Sequence, residues 1–389
     1  MQNKTDTTDR ICRIDRVFFL VIILILLVGL LTTVFYPHEI NYYENRYANK
    51  PEPLTADSYA DGSFQDGMES ALADQVQLAQ HAKKFYNCAR AYSEMPLISL
   101  LENSTHDYVY SDGMAFYGGK IVYTQSGLDW RKAGLEAKAE NLNAAIAAHP
   151  ELEFYAYYIE KDTDIDFTTG QKLGASQFML SMLNIPDENK GIYEINSFSE
   201  FDERFYDTDH HWNYIGSYEG YRDVLSLMSD DKPLEPTGVF HSGLRFAGSK
   251  AMSLGSLYTD EMSIYCFDYP PMEISIEGEP GDYGHQSELL RGELEQATYA
   301  TVYGSDDGEV IFDTGRDGDN LLVIGESYDN AILKLLASHF SKTCSIDLRN
   351  YENAFGEKFD FDGYVRQHGI TKVLFIGNVD FYVIDEFMI

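Results

Sequence analysis

The stretch Leu321-Leu322-Val323-Ile324-Gly325-Glu326-Ser327-Tyr328 sets the tightest limit on how this chain can fold. An apolar run stops at Gly-Glu-Ser, and the helix-like Asp329-Asn330-Ala331-Ile332-Leu333-Lys334-Leu335-Leu336 follows directly. A strand buried on both faces reads as a continuous apolar run, the pattern of a parallel strand covered by helices. In open α/β sheets, ligands bind outside the carboxyl ends of the strands. Ser327 therefore arrives where sites are built, beside a helix N-terminus. There it fits two roles, helix cap or nucleophile.

A second stretch, Tyr206-Asp207-Thr208-Asp209-His210-His211-Trp212, bears on that choice. A serine becomes a nucleophile when a base takes its proton and an acid orients the base. Asp209 and His211 can supply both from one loop. Asp207 and His210 offer the other register, and the residues leave both dyads open. The same side chains could form a metal cluster. Ligands packed this closely rarely all converge on one ion, however, and no HExxH pattern accompanies them. No metal and no cofactor is expected.

The rest of the chain supplies the frame. A helix over 134–148 followed by a strand over 154–159 is the first α/β unit. A further helix is expected over 173–183 and a short strand over 191–195. Tyr214, Tyr218, Tyr221, Leu225 and Met228 fall on one face of a helix that Asn213 can cap, and that stripe is read as core. Residues 233–319 show no regular period and are expected to be an irregular insertion of strands and loops. The last block alternates again, with strands over 344–348 and 372–376 and a helix over 361–367. It ends at Gly377-Asn378. Alternation of this kind implies a parallel sheet.

The N-terminus is of another character. Residues 1–16 carry Lys4, Arg10, Arg13 and Arg16, and residues 17–35 carry no charge at all. That is close to the roughly 20 apolar residues needed to cross a bilayer, and longer than the apolar core of a cleaved signal. The expectation is one transmembrane anchor over 17–36, with residues 1–16 cytoplasmic and the remainder outside. Residues 37–92 read as a stalk followed by a helix from about residue 63, and 93–389 as the main domain. The formal net charge of −34 argues against nucleic acid and against an anionic membrane surface as partners. The 29 tyrosines leave a neutral glycan open as a partner. Cys12, Cys88, Cys266 and Cys344 form no CxxC pair.

Tyr206-Asp207-Thr208-Asp209-His210-His211-Trp212-Asn213 followed by a helix resembles the DHHW family of bacterial surface proteins. It also resembles the SGNH-hydrolase-like domains of the alginate O-acetylation machinery, which carry Asp-x-His-Trp and, later, Gly-x-Ser at a strand end. The matching residues are Asp209, His211 and Trp212, then Gly325, Glu326 and Ser327. Their order resembles the circularly permuted arrangement of the alginate group. The resemblance implies a flavodoxin-like three-layer α/β sandwich with a parallel central sheet. It also implies a serine acyltransferase or esterase that adds acetyl to, or removes it from, a surface or exported glycan, with acyl groups delivered by a membrane-bound partner. In that reading Ser327 is the nucleophile, His211 the base and Asp209 its orienting acid. Asn378 and Gly377 are the oxyanion-hole candidates, and Trp212 is the substrate-stacking candidate. Glu326 stands where the common SGNH block has Asp. A catalytically idle SGNH-like module that binds glycan or scaffolds an envelope complex is the alternative.

Overall fold

The structure, a computed structural model, describes residues 2–36, 40–41, 46–49, 53–76, 108–109, 113–123, 128–254, 258–384 and 388–389, with a few isolated positions between 82 and 93. Expectations for the stalk and for the helix beyond residue 76 fall largely outside the described residues. The chain divides into two units, Met1–Tyr92 and Ser93–Ile389.

In the first unit one helix spans Gln2–Phe35. Its segment Arg16–Thr33 is long and apolar enough to cross a membrane, which makes it a candidate anchor or signal sequence. At 1.5 Å per residue it rises about 27 Å, against roughly 30 Å of hydrocarbon. The hydroxyls of this apolar run are satisfied inside the helix: Thr33 Oγ1 donates to the Gly29 carbonyl at 2.8 Å and Thr32 Oγ1 to that of Val28 at 3.0 Å. That is what a lipid environment requires of polar atoms. Helices Ala56–Asp61 and Ser63–Gln75 follow, joined through Gly62 at φ +90°.

The second unit is built on an eight-stranded sheet. Across it the order is Glu279–Pro280, Glu273–Ile276, Glu309–Asp313, Lys342–Ile346, Asn320–Ile324, Lys372–Gly377, Glu153–Ile159 and Lys190–Tyr193. Its last five strands are parallel, with Val323 opposite both Ser345 and Leu374, Leu374 opposite Tyr155, and Tyr157 opposite Gly191. The first three are antiparallel to their neighbours. The sheet is thus mixed, which corrects the expectation of a parallel sheet. The antiparallel edge comes from the stretch read as an irregular insertion. Its hairpin turns at Glu277 (φ +50°) and Gly278 (φ +84°), the paired positive φ of a type I′ turn.

Side chains of the parallel strands alternate between two cores. Leu321, Val323, Leu374, Ile376, Tyr155 and Tyr157 face one; there they meet Tyr221, Val224 and Leu225 of helix Tyr214–Met228 and Ile332 and Leu336 of helix Asn330–Ala337. Leu322, Ile324, Val373, Phe375, Phe154 and Tyr158 face the other, against Leu135 and Leu142 of helix Leu128–Ala148 and Tyr382 of helix Val379–Val383. Helices therefore cover both faces of the sheet, which is why the strands read as unbroken apolar runs. Asn213 caps its helix as expected, accepting from the N–H groups of Ile215 (2.9 Å) and Gly216 (3.2 Å). Cys266 and Cys344 are free thiols.

Candidate functional site

Three parallel strands end together and leave polar residues at one rim of the sheet. Ser327 follows the strand that ends at Ile324, Asp347 the one that ends at Ile346, and Asn378 the one that ends at Gly377. Gly325 starts the Ser327 loop because nothing larger fits: a Cβ there would lie 2.0 Å from Asp329 Oδ2 and 2.9 Å from the Ile376 carbonyl oxygen.

The Asp207–His211 segment forms the tip of a narrow loop. An antiparallel bridge joins Phe205 to Trp212, and Tyr206 N–H donates to the His211 carbonyl at 3.2 Å. Asp260 holds the outer side of the loop, accepting from Asp207 N–H (2.8 Å) and from the N–H and hydroxyl of Thr208. Thr208 Oγ1 in turn accepts from Gly248 N–H at 3.0 Å. A Cβ on Gly248 would lie 2.4 Å from that of Asp209, so the two segments touch backbone to backbone.

Within this frame Asp209, His211 and Ser327 form one hydrogen-bonded chain. Asp209 Oδ1 lies 2.6 Å from His211 Nδ1, and His211 Nε2 lies 2.7 Å from Ser327 Oγ. Asp209 uses both oxygens: Oδ1 also accepts from His211 N–H at 3.0 Å, and Oδ2 from Ser249 N–H at 2.9 Å. Burial works to raise the Asp209 pKa. The charge of His211 and the hydrogen bond to its ring outweigh burial and hold the carboxyl well below the usual carboxylate range. The Tyr299 ring lies parallel to the His211 imidazole, 3.8 Å between centroids and 3° between planes. All three members of the chain are buried.

The other register is not assembled. Asp207 Oδ1 pairs with Lys120 Nζ at 2.6 Å, and His210 Nδ1 meets Ser249 Oγ at 2.6 Å. Desolvation, with His211 adding to it, pushes the His210 pKa well below the ordinary imidazole range. Asp209, His210 and His211 do offer ligand atoms within 4.8 Å of one another. Both nitrogens of His211 are already engaged, as is Nδ1 of His210.

One expectation is corrected. Trp212 is not a stacking surface for substrate. It has no solvent exposure, its indole N–H donates to the Tyr328 carbonyl at 3.0 Å, and a Cβ on Gly220 would lie 2.4 Å from its ring. It is a core side chain that braces the loop from beneath. The donors of Asn378, an oxyanion-hole candidate with Gly377, are engaged by a side chain of the chain itself. Asn378 N–H (3.1 Å) and Nδ2–H (2.9 Å) both donate to Glu326 Oε1, while Asn378 Oδ1 caps the next helix by accepting from Asp380 N–H. Gly377 is glycine for space: a Cβ there would sit 2.5 Å from the Cβ of Phe381 and 3.1 Å from Glu326 Cγ. Glu326 Oε2 lies 3.2 Å from Ser327 Oγ. Burial pushes the Glu326 carboxyl up, with Arg349 opposing.

Sequence reading missed Ser249, Asp260 and Tyr299, which carry no motif and lie in the irregular stretch. Tyr328 was within reach, being next to Ser327; its hydroxyl donates to the His210 carbonyl.

No family model and no curated protein sequence matches this chain. Solved structures do. Bacillus cereus PatB1 with a sulfonyl adduct aligns with a TM-score of 0.55 at 15% identity, covering 72% of this chain and 98% of that one. A DHHW family protein from Eubacterium siraeum DSM 15702 aligns with a TM-score of 0.55 at 14% identity, covering 73% and 97%. The O-acetyltransferase domain of Pseudomonas putida AlgJ reaches a TM-score of 0.37 at 10% identity, covering 72% and 93%, too low to argue from. The chain thus shares its fold with a DHHW family protein, the family its Asp-His-His-Trp stretch resembles.

Proposed function

We propose that this chain is a serine acyltransferase or esterase, anchored by its N-terminal helix, that works outside the cytoplasm on acetyl groups of a surface or exported polysaccharide. The observation that carries this reading is the hydrogen-bond chain from Asp209 through His211 to Ser327, at 2.6 and 2.7 Å. In the proposed reaction His211 Nε2 takes the Ser327 proton as Oγ bonds to the acyl carbon of the donor. The bond from that carbon to the leaving group then breaks, and the leaving group takes the proton from Nε2. Acyl-Ser327 next passes its acyl group to a sugar hydroxyl, or to water, whose proton returns through His211 to Ser327 Oγ. Asp209 stays ionised throughout, fixing the tautomer that carries its proton on Nδ1. Asn378, with the Ser327 backbone N–H, would hold the oxyanion once Asn378 is released from Glu326. A membrane-bound partner would present the acyl donor. The basic residues Lys4, Arg10, Arg13 and Arg16 favour a cytoplasmic N-terminus.

One observation favours a second reading. Glu326 already occupies the donors of Asn378, as in a module that binds glycan without turning it over.

A sulfonyl fluoride separates the two, since a sulfonyl adduct is known on the PatB1 structure. The full-length protein in detergent is treated with phenylmethanesulfonyl fluoride and followed by intact mass and peptide mapping. The expected result is one adduct, on Ser327, absent in Ser327→Ala and His211→Ala and retained in His210→Ala. An unlabelled parent protein whose glycan affinity survives Ser327→Ala and His211→Ala would establish the binding module instead.

A further inference from the structure

Among the described residues, Glu326 is the ionisable side chain that touches both Ser327 and the Asn378 donors that the proposed reaction assigns to an acyl oxygen. One of its oxygens is held as the oxyanion hole would hold an acyl oxygen, and the other is hydrogen-bonded to the serine. Oε1 receives two N–H donors from Asn378 at 2.9 and 3.1 Å, while the other carboxyl oxygen sits 3.2 Å from Ser327 Oγ. Donors of an oxyanion hole lie about 2.7–3.1 Å from the oxygen they stabilise.

The proton count around Ser327 supports the same picture. A serine hydroxyl has one proton to give and two lone pairs. Ser327 Oγ meets His211 Nε2 and Glu326 Oε2 at once. With Glu326 protonated, every contact has one donor and one acceptor: Glu326 to Ser327, Ser327 to His211, His211 to Asp209. With Glu326 ionised, its oxygen competes with His211 for the serine proton. Room for the side chain is provided by Gly377, where a Cβ would press on Glu326 Cγ at 3.1 Å. A small cavity lined by Gly325, Asp329, Asn330, Ser345 and Asp347 adjoins the residue.

We propose that Glu326 is an internal occupant of the acyl-oxygen site, a gate that the carbonyl oxygen of an incoming acyl ester must displace before Ser327 can react. This rests on the reading of Ser327 as nucleophile. Residue 326 then sets how readily acyl groups enter, and the resting site is closed by its own side chain. The buried position of Ser327, His211 and Glu326 fits a site that opens only when ligand arrives.

The test compares rates of Ser327 sulfonylation in the full-length protein and in Glu326→Ala, Glu326→Gly and Glu326→Gln, with circular dichroism to establish folding. Gln keeps the occupying carbonyl and a donor toward Ser327, so its rate should stay near that of the parent. Ala and Gly leave the Asn378 donors free and should label at least tenfold faster. Sodium acetate, a free carboxylate, should slow the Gly variant and leave the parent unchanged. If Ala and Gly fail to fold, Glu326→Asp, one methylene shorter and drawn back from Asn378, must label faster than the parent. Labelling of Ser327 in the parent with Ala, Gly or Asp no faster than Gln overturns the gate alone, and leaves Glu326 a positioning residue. No labelling in any folded variant overturns both the gate and the nucleophile.

Discussion

Replacing Asp209 by Asn separates an orienting acid from a merely structural carboxylate. The substitution is isosteric, so the loop keeps its shape, but an amide has a single acceptor oxygen. Asp209 now serves donors on both sides: His211 Nδ1 and N–H on Oδ1, and Ser249 N–H on Oδ2. If the amide oxygen of Asn faces His211, its NH₂ is driven against the Ser249 N–H, donor to donor. If it faces Ser249, the NH₂ donates to His211 Nδ1 and forces the imidazole proton onto Nε2, where it can no longer accept from Ser327. The first orientation leaves a buried donor unpaired, costing about 1–3 kcal/mol; loss of the charge-assisted bond removes roughly another 1.5–3 kcal/mol. The first cost falls on the stability of the fold; the second falls on the imidazolium formed as Ser327 reacts, a slowing of roughly 10–10²-fold at about 1.4 kcal/mol per tenfold. The assay is the second-order rate of Ser327 sulfonylation, with acetate release from a chromogenic acetyl ester alongside. An Asp209→Asn protein that melts like the parent and labels within threefold of it would refute the reasoning, because neither orientation of the amide permits that outcome.

Three further outcomes follow from the packing. Lys138 has no solvent exposure, and burial lowers its pKa to about 7. An unfolded chain holds that proton up to about pH 10.4. Between those values the unfolded state binds more protons, so this group makes stability rise with pH by about 1.4 kcal/mol per unit. Lys138→Met should raise the melting temperature at pH 7.5 and lose that advantage by pH 10, as read by thermal melts across that range. Asn213→Ala strips two N–H groups of their cap and should cost about 1 kcal/mol, with Asn213→Asp milder, in chemical denaturation. Gly325→Ala drives a methyl to 2.0 Å from Asp329 Oδ2 and should cost about 1–3 kcal/mol, lowering the melting temperature by several degrees; a melt equal to the parent would contradict it.

Much of the scaffold was legible because burial on both faces writes a plain signal. Leu321-Leu322-Val323-Ile324 and Lys372-Val373-Leu374-Phe375-Ile376 read as covered strands, and the Tyr214–Met228 helix announced itself by its stripe and its Asn213 cap. The elements that bring Asp209, His211 and Ser327 together lie in such segments or directly beside them. The antiparallel edge was not legible. Glu273–Ile276 is short, and its type I′ turn uses Glu277 at positive φ, where Asn or Asp would have been the recognisable residue. Trp212 was misread for a physical reason: an aromatic beside an Asp-His pair says nothing of which way its ring points. Here Gly216 and Gly220, a turn apart, open a slot in the facing helix, and the indole fills it. Ser249 and Tyr299 enter the site through tertiary contact alone, a backbone N–H and a ring face, and neither leaves a trace in local sequence.

The backbone N–H of Ser249 on Asp209 ties the imidazole to the six-residue helix Ser249–Leu254. A helix that short has little intrinsic stability in water and persists through its tertiary contacts. Heating should therefore release it ahead of the eight-stranded sheet, freeing one oxygen of Asp209 and unfastening the ring that oxygen helps to aim. The thermal limit on reactivity would then lie below the melting point of the fold, and recovery on cooling would be rapid, since fewer than two turns of helix have to wind back.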